Sequence, residues 1–293
     1  MIEHEYSQHF PACASTVLHI HNSGVLFYLD SILKFNTTIG FPLASLYCGS
    51  FALCISMLGM HFIYRYVAVC RNHELHYFEG KNIYYLFVPP TILFTIWTLS
   101  IYFNFAPDQA KKDFFRDVAL ELYEEDIDQI AFMGPLYFTR QEDGTRLFRF
   151  PDLLGGGISC AIMAICFITC IACAMKTYRK LNDKTIQMSV RTRNMNKQLF
   201  WTLGLQTLLP FITQYIPVGT MFILPFFEIS FGKIGNVVGG ACSLYPAVDP
   251  IIAMFMIDRF RNVILRKESK TASKTLGTST TFDYKTGLTI AIQ

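Results

Sequence analysis

Five stretches of this chain are too long and too free of charge to be buried helices of a soluble fold. Residues 41–64, 84–106, 153–175 and 199–224 contain no Lys, Arg, Asp or Glu, and residues 234–257 contain only Asp249. A bilayer core of about 30 Å is crossed by roughly 20 helical residues. Each stretch has that length, and lipid requires every backbone polar group to be satisfied within the segment. Spans A to E, in chain order, are therefore membrane-crossing helices. Composition agrees: 52% of residues are hydrophobic and 16% charged, against about 25% charged in soluble domains. A disordered chain, a coiled coil and a disulfide-rich secreted module are excluded.

Charge sets the orientation. If the A–B loop, the C–D loop and the C-terminal tail share one side, that side carries 17 Lys/Arg and the other carries 8. Basic residues concentrate on the cytoplasmic side. The C-terminus is then expected inside, the N-terminus outside, and span A runs inward to Arg65. The basic residues lie at membrane exits, so anionic lipid and cytoplasmic proteins are the expected partners rather than nucleic acid. One glycosylation sequon, Asn36-Thr37-Thr38, falls on the expected outer side.

Residues 1–40 form an expected outer segment. Pro11 to Leu29 is too polar for an independent span, with His19, His21, Asn22, Ser23 and Gly24, and is expected to be a loop plus part of a helix. The B–C loop, 107–152, is too long for a simple connection. Phe115, Val118, Ala119 and Leu122 recur at helical spacing and predict a short amphipathic helix ending at an acidic run, Glu124 to Asp128. A cap over a pocket and an unstructured acidic loop both fit. The loop contains no cysteine, so no disulfide is expected to tie it to span A. Residues 266–293 form a polar Ser/Thr-rich tail, expected in the cytoplasm.

Asp249 is the one carboxylate inside a span, set between Pro246 and Pro250. Such a group normally faces the bundle interior. An ion site is one reading; a polar helix hinge formed with the two prolines is the favoured one. Span D is polar and kinked on one side, with Gln206, Pro210, Gln214 and Pro217. Gln206, Gln214 and Tyr215, with Tyr47 and Phe51 of span A, are the candidate ligand-facing residues. Interhelical bonding by the glutamines and plain packing by the aromatics are the competing readings. No catalytic constellation, metal-ligand spacing or phosphate loop is present, so neither enzyme nor cofactor is expected. A transporter or channel subunit is the rival class, although no repeat is visible and only one intramembrane charge is found.

The helix ends carry a resemblance. His61 to Val69 resembles the third-helix exit of nematode serpentine chemoreceptors of the Str class. Gln198 to Thr207, Pro210 and Tyr215-Ile216-Pro217 resemble their sixth helix. Tyr245 to Pro250 with Asp258-Arg259-Phe260-Arg261 resembles the seventh helix and its exit, and Pro107-Asp108 also fits. The similarity runs from about residue 10 to 265. It implies a seven-transmembrane all-α bundle with five complete spans, lacking helix one and most of helix two, with residues 1 to about 25 as the end of helix two. It also implies binding of an odorant-like small molecule and coupling to a heterotrimeric G protein, at the plasma membrane or cilium of a chemosensory neuron. Arg65 matches the family's arginine at the third-helix exit, and Asp249 its seventh-helix aspartate. Tyr66, Arg191, Arg193 and Lys197 then fall on the G-protein side. A truncated receptor that does not signal is a further alternative.

Overall fold

The computed structural model describes residues 15–230, apart from 79, 142 and 184–188, together with Gly235. Span E with Pro246, Asp249 and Pro250, the tail, and the first 14 residues lie outside the described residues. So do the side chains of Arg191 and Gln206.

Four segments among the described residues are long and apolar enough to cross a membrane: Thr37–Cys70, Asn82–Asn104, Phe150–Asn182 and Thr192–Phe227. They correspond to spans A to D. Helix α1 (Thr37–Cys70) starts four residues before the uncharged run, because Asn36 caps it by accepting from the Ile39 amide at 3.3 Å. It packs against both α2 (Val88–Asn104) and α4 (Phe150–Asn182). Small residues make that central place possible. Gly40, Ala44, Ser45, Gly49, Ala52 and Gly59 are buried on α1, and a Cβ on Gly49 would lie 2.0 Å from Thr98 Oγ1 of α2. Membrane helices gain most of their association from such close backbone approach.

The fourth crossing is broken. Helix α5 (Val190–Pro210) gives way to a π-helical turn at Phe211–Tyr215, and α6 (Ile216–Ile223) follows. Pro210 and Pro217 bracket the turn. Neither has an N–H to give the carbonyl four residues earlier, so the regular ladder cannot run through this stretch. The wider turn buries Gln214 and Tyr215.

The remaining chain caps one end of the bundle, and here two expectations are corrected. Residues 15–30 contribute no helix end. They form an antiparallel hairpin, β1 (Ser15–His21) and β2 (Gly24–Asp30), joined through Asn22-Ser23 with Asn22 at φ 45°. Asparagine tolerates the left-handed conformation that a two-residue hairpin loop needs. β3 (Phe132–Met133) adds to β2, and β4 (Phe138–Arg140) pairs with β5 (Arg146–Phe148). The bundle is therefore not all-α; it carries a β cap. The B–C loop is also ordered. Helix α3 (Gln109–Tyr123) buries Phe115, Val118 and Ala119 and ends at Glu124 in the left-handed conformation, as the acidic run suggests, but Leu122 is exposed.

The hairpin lies between two cores and serves both. Leu18, Val25, Phe27 and Met133 pack on the bundle side with Ala52, Trp97 and Phe222. Leu26, Tyr28 and Phe132 point the other way, onto Phe115 and Ala119 of α3. Successive strand residues face opposite sides, and both sides are covered.

Candidate functional site

Beneath the hairpin lies a cavity of about 360 Å³. Its roof is Leu18, Val25 and Phe27 of the hairpin with Met133, Gly134 and Pro135. Tyr47, Phe51 and Cys54 of α1 form one wall, Trp97 and Ile101 of α2 another. Gln214, Met221 and Phe222 line the side given by the broken helix. No charged residue is among the described lining residues.

Gly134 fixes the roof. At φ 153° it brings its backbone so close to β2 that a Cβ would sit 1.7 Å from the Val25 carbonyl oxygen. The Gly134 amide donates to the Phe105 carbonyl at 3.3 Å, and the Val25 amide donates to the Pro135 carbonyl at 2.9 Å. Roof and α2 end are thereby tied together.

Among the described residues, some polar groups in and beside the cavity are left without partners. Gln214 is 3% exposed, yet its Oε1 accepts no hydrogen bond; Trp97 Nε1 and the Tyr215 hydroxyl likewise have no partner among the described residues. A buried unpaired polar group costs about 1–3 kcal/mol. Gln214 and Trp97 both line the cavity, whereas Tyr215 stands behind it, edge-on to Phe51 with ring centroids 6.5 Å apart. Of the five residues expected from the sequence to face a ligand, Tyr47, Phe51 and Gln214 thus line the one cavity, from two of its sides. Tyr215 supports it, and the Gln206 side chain is outside the described residues. Sequence reasoning missed Trp97 and the whole roof. One of only two tryptophans, in the middle of an otherwise polar-poor span, was the available signal for Trp97.

An ion network locks the cap to the bundle. Lys111 of α3 and Asp152 in the first turn of α4 are paired at 2.7 Å with 1% of each side chain exposed. Lys111 also donates to the Ala106 carbonyl at 3.0 Å. Arg149 Nε donates to Asp152 at 3.0 Å, and its far end pairs with Asp108. Burial pulls the Lys111 ammonium below its usual pKa, with Asp152 opposing. For Asp108 burial opposes ionisation, but the Lys111 amide and Arg149 outweigh it and hold the carboxyl below its ordinary value. On the far side of the cap, Lys34 bridges Asp30 and Glu125, at 2.8 and 2.5 Å.

At the opposite end of the bundle, Arg65 is half-buried near the end of α1. Tyr66 and Cys70 of α1 face Lys176, Arg179 and Lys180 of α4 across a shallow cleft. Arg193 of α5 donates to the Asp183 carbonyl at 3.0 Å. Lys197 lies one turn further along α5 and is half-buried. Asn36 is exposed at the cap end, its side-chain oxygen engaged as the α1 cap.

The described residues thus combine a cavity between helices, under a folded cap, with a separate basic cleft at the other end of the bundle. The family model described as "Serpentine type 7TM GPCR chemoreceptor Str" matches residues 9–265. The chain belongs to this Str family. The Str chain is 33% identical over 257 residues to "Serpentine receptor class r-10" of Caenorhabditis briggsae, covering 85% of this chain and 73% of that one. The protein of the same description from Caenorhabditis elegans is 31% identical over 254 residues, with the same coverage. "G-protein coupled receptor str-33" of C. elegans is 26% identical over 250 residues, 83% of this chain and 72% of that one. No solved structure matches the Str chain. It is thus a multi-pass, helical membrane protein of a chemoreceptor class of G-protein-coupled receptors, a family of receptors rather than enzymes.

Proposed function

We propose that this receptor binds an odorant-like small molecule in the cavity under the hairpin and signals to a heterotrimeric G protein at the opposite end. The observation that carries the reading is the cavity itself: apolar walls, with Gln214 and Trp97 holding unpartnered polar atoms. A ligand that satisfies those atoms interacts differently with the two packings of a deformable bundle, which is the requirement for shifting them. The π turn between Pro210 and Pro217 carries Gln214 on the one crossing among the described residues that a π turn interrupts, and π turns concentrate at functional positions. The same crossing begins in the basic stretch with Arg191, Arg193 and Lys197, so a shift at the turn reaches that surface directly.

In this reading 41–265 is the receptor bundle, 1–40 an outer segment and 266–293 a cytoplasmic tail. The cap faces outward, Asn36 carries a glycan, and Arg65, Tyr66, Arg191, Arg193 and Lys197 contact the G protein. Pro246, Asp249 and Pro250 act as a hinge in span E. The site of action is the plasma membrane of a chemosensory neuron, its cilium included.

Purified receptor in lipid vesicles, offered a panel of volatile and water-soluble small molecules, should drive nucleotide exchange on a G protein without carrying the molecule across the bilayer. Flux without exchange would mean a transporter. Arg65→Ala should leave the amount of receptor at the cell surface nearly unchanged while lowering exchange. Equal loss of surface level and exchange would make Arg65 a folding residue.

A further inference from the structure

The end of the bundle opposite the cap holds a second concave site. A shallow cleft of about 370 Å³ lies between the ends of α1 and α4, lined by Tyr66, Cys70, Lys176, Arg179, Lys180 and Asp183. Helix α4 is free of charge from 153 to 175, and its cations begin at the next residue. They therefore sit at the depth where the helix leaves the hydrocarbon. Lys176, Arg179 and Lys180 are spaced i, i+3 and i+4 and share one helix face.

None of the three cations forms an ion pair among the described residues. The nearby Arg71, by contrast, is paired with Glu74 at 2.8 Å. Lys176 lies over the Tyr66 ring, 5.5 Å from its centroid, so an aromatic face forms the opposite wall. On the membrane side of the cations along α4, Ile165, Ile168 and Met175 are exposed and offer apolar surface to the bilayer. Three positive groups against the single carboxylate of Asp183 leave the cleft cationic. A guanidinium fork beside two ammonium groups suits an oxygen-rich dianion better than a singly charged diester.

We propose that this cleft binds the phosphomonoester-bearing headgroup of an anionic membrane lipid, of the phosphoinositide kind, with the acyl chains laid along Ile165, Ile168 and Met175. Basic recesses between transmembrane helices on the cytoplasmic side are suited to such headgroups. The assignment rests on the reading that this end faces the cytoplasm. Tyr66 belongs both to the cleft and to the proposed G-protein surface, so headgroup occupancy and coupling meet at that ring.

The test uses the whole receptor in phosphatidylcholine nanodiscs, where both leaflets are accessible and binding does not depend on orientation. Short-chain phosphoinositide bisphosphate, short-chain phosphatidylserine and the free inositol phosphate are titrated separately, with binding read by fluorescence. The phosphoinositide should bind at least tenfold tighter than either of the others. The variant Lys176→Gln/Arg179→Gln/Lys180→Gln should weaken it by about a hundredfold, at about fivefold for each cation near the surface. Exchanging Lys for Arg and Arg for Lys at the three positions should keep most of the affinity. A photoactivatable phosphoinositide should label the wild-type peptide containing 176–183, a readout that does not need the triple variant to fold. Free inositol phosphate binding as tightly as the lipid would make this a soluble-phosphate site and overturn the lipid assignment. Unchanged affinity in a folded triple variant, or labelling elsewhere, would overturn the site. So would a variant that binds lipid normally but loses G-protein exchange, which would assign the cleft to the protein partner. Orientation is checked apart, by labelling from the two sides of intact cells.

Discussion

Lys111 and Asp152 show what a buried charge does at the junction of a cap and a membrane bundle. Each is 1% exposed, and each is the other's main compensation. Lys111→Met leaves Asp152 buried with Arg149 as its remaining charged partner. It should cost about 3 kcal/mol of stability, since breaking one side of a buried pair leaves an uncompensated charge. Lys111→Met/Asp152→Leu should recover most of that loss in a thermal melt of the detergent-solubilised receptor. A double variant no more stable than the single would mean the pair is held for something other than charge balance. Gln214 poses the opposite case, a buried polar group whose Oε1 has no partner among the described residues. Gln214→Leu should raise the melting point of the ligand-free receptor, because a buried unpaired acceptor disappears. It should also weaken the response to ligand several-fold. A variant that melts lower and responds normally would remove Gln214 from the site. Gln214 was legible in the sequence because a glutamine between two prolines of an apolar run is out of place. Its pairing state was not, since that depends on which way the π turn directs the side chain.

Among the elements, the cap hairpin carries most of the site's geometry. Its close approach at Gly134 gives the sharpest test: Gly134→Ala puts a methyl group onto the Val25 carbonyl at a backbone angle alanine avoids. Loss of ligand response with the four crossings still inserted, judged by helical circular dichroism, is expected. Retained response would mean the roof is not needed. The crossings were legible because length and absence of charge suffice to define them. The hairpin was legible only in part. Val17, Leu18, Ile20, Val25, Leu26, Phe27 and Tyr28 flank Asn22-Ser23, which is a hairpin signal. Burial on both faces erased the polar alternation that marks a half-exposed strand, and four polar residues around the turn looked like a loop. The helix α3 showed itself through Phe115, Val118 and Ala119, all buried, of which Phe115 and Ala119 meet the hairpin. Leu122 fits the same period but is exposed, while the next residue, Tyr123, is the one that reaches the hairpin at His19 and Tyr28.

At the scale of the molecule, cap and basic cleft stand at opposite ends of α1 and α4, with the broken fourth crossing beside both. The orientation proposed from the charge split makes a direct expectation. A cysteine introduced at Ser189, the cap residue of α5, should resist an impermeant thiol reagent in intact cells and react after permeabilisation. Labelling without permeabilisation would invert the topology. The two-sided hairpin has one more consequence. Residues of one parity, Leu18 on β1 with Val25 and Phe27 on β2, look into the cavity; their neighbours Val17, Leu26 and Tyr28 hold α3. In the proposed reading, recognition and cap stability are thus written on alternate letters of the same two short words. Under that reading selectivity is free to drift at one set while the other set stays fixed, and a change in what is detected needs only every second residue of the roof to be rewritten.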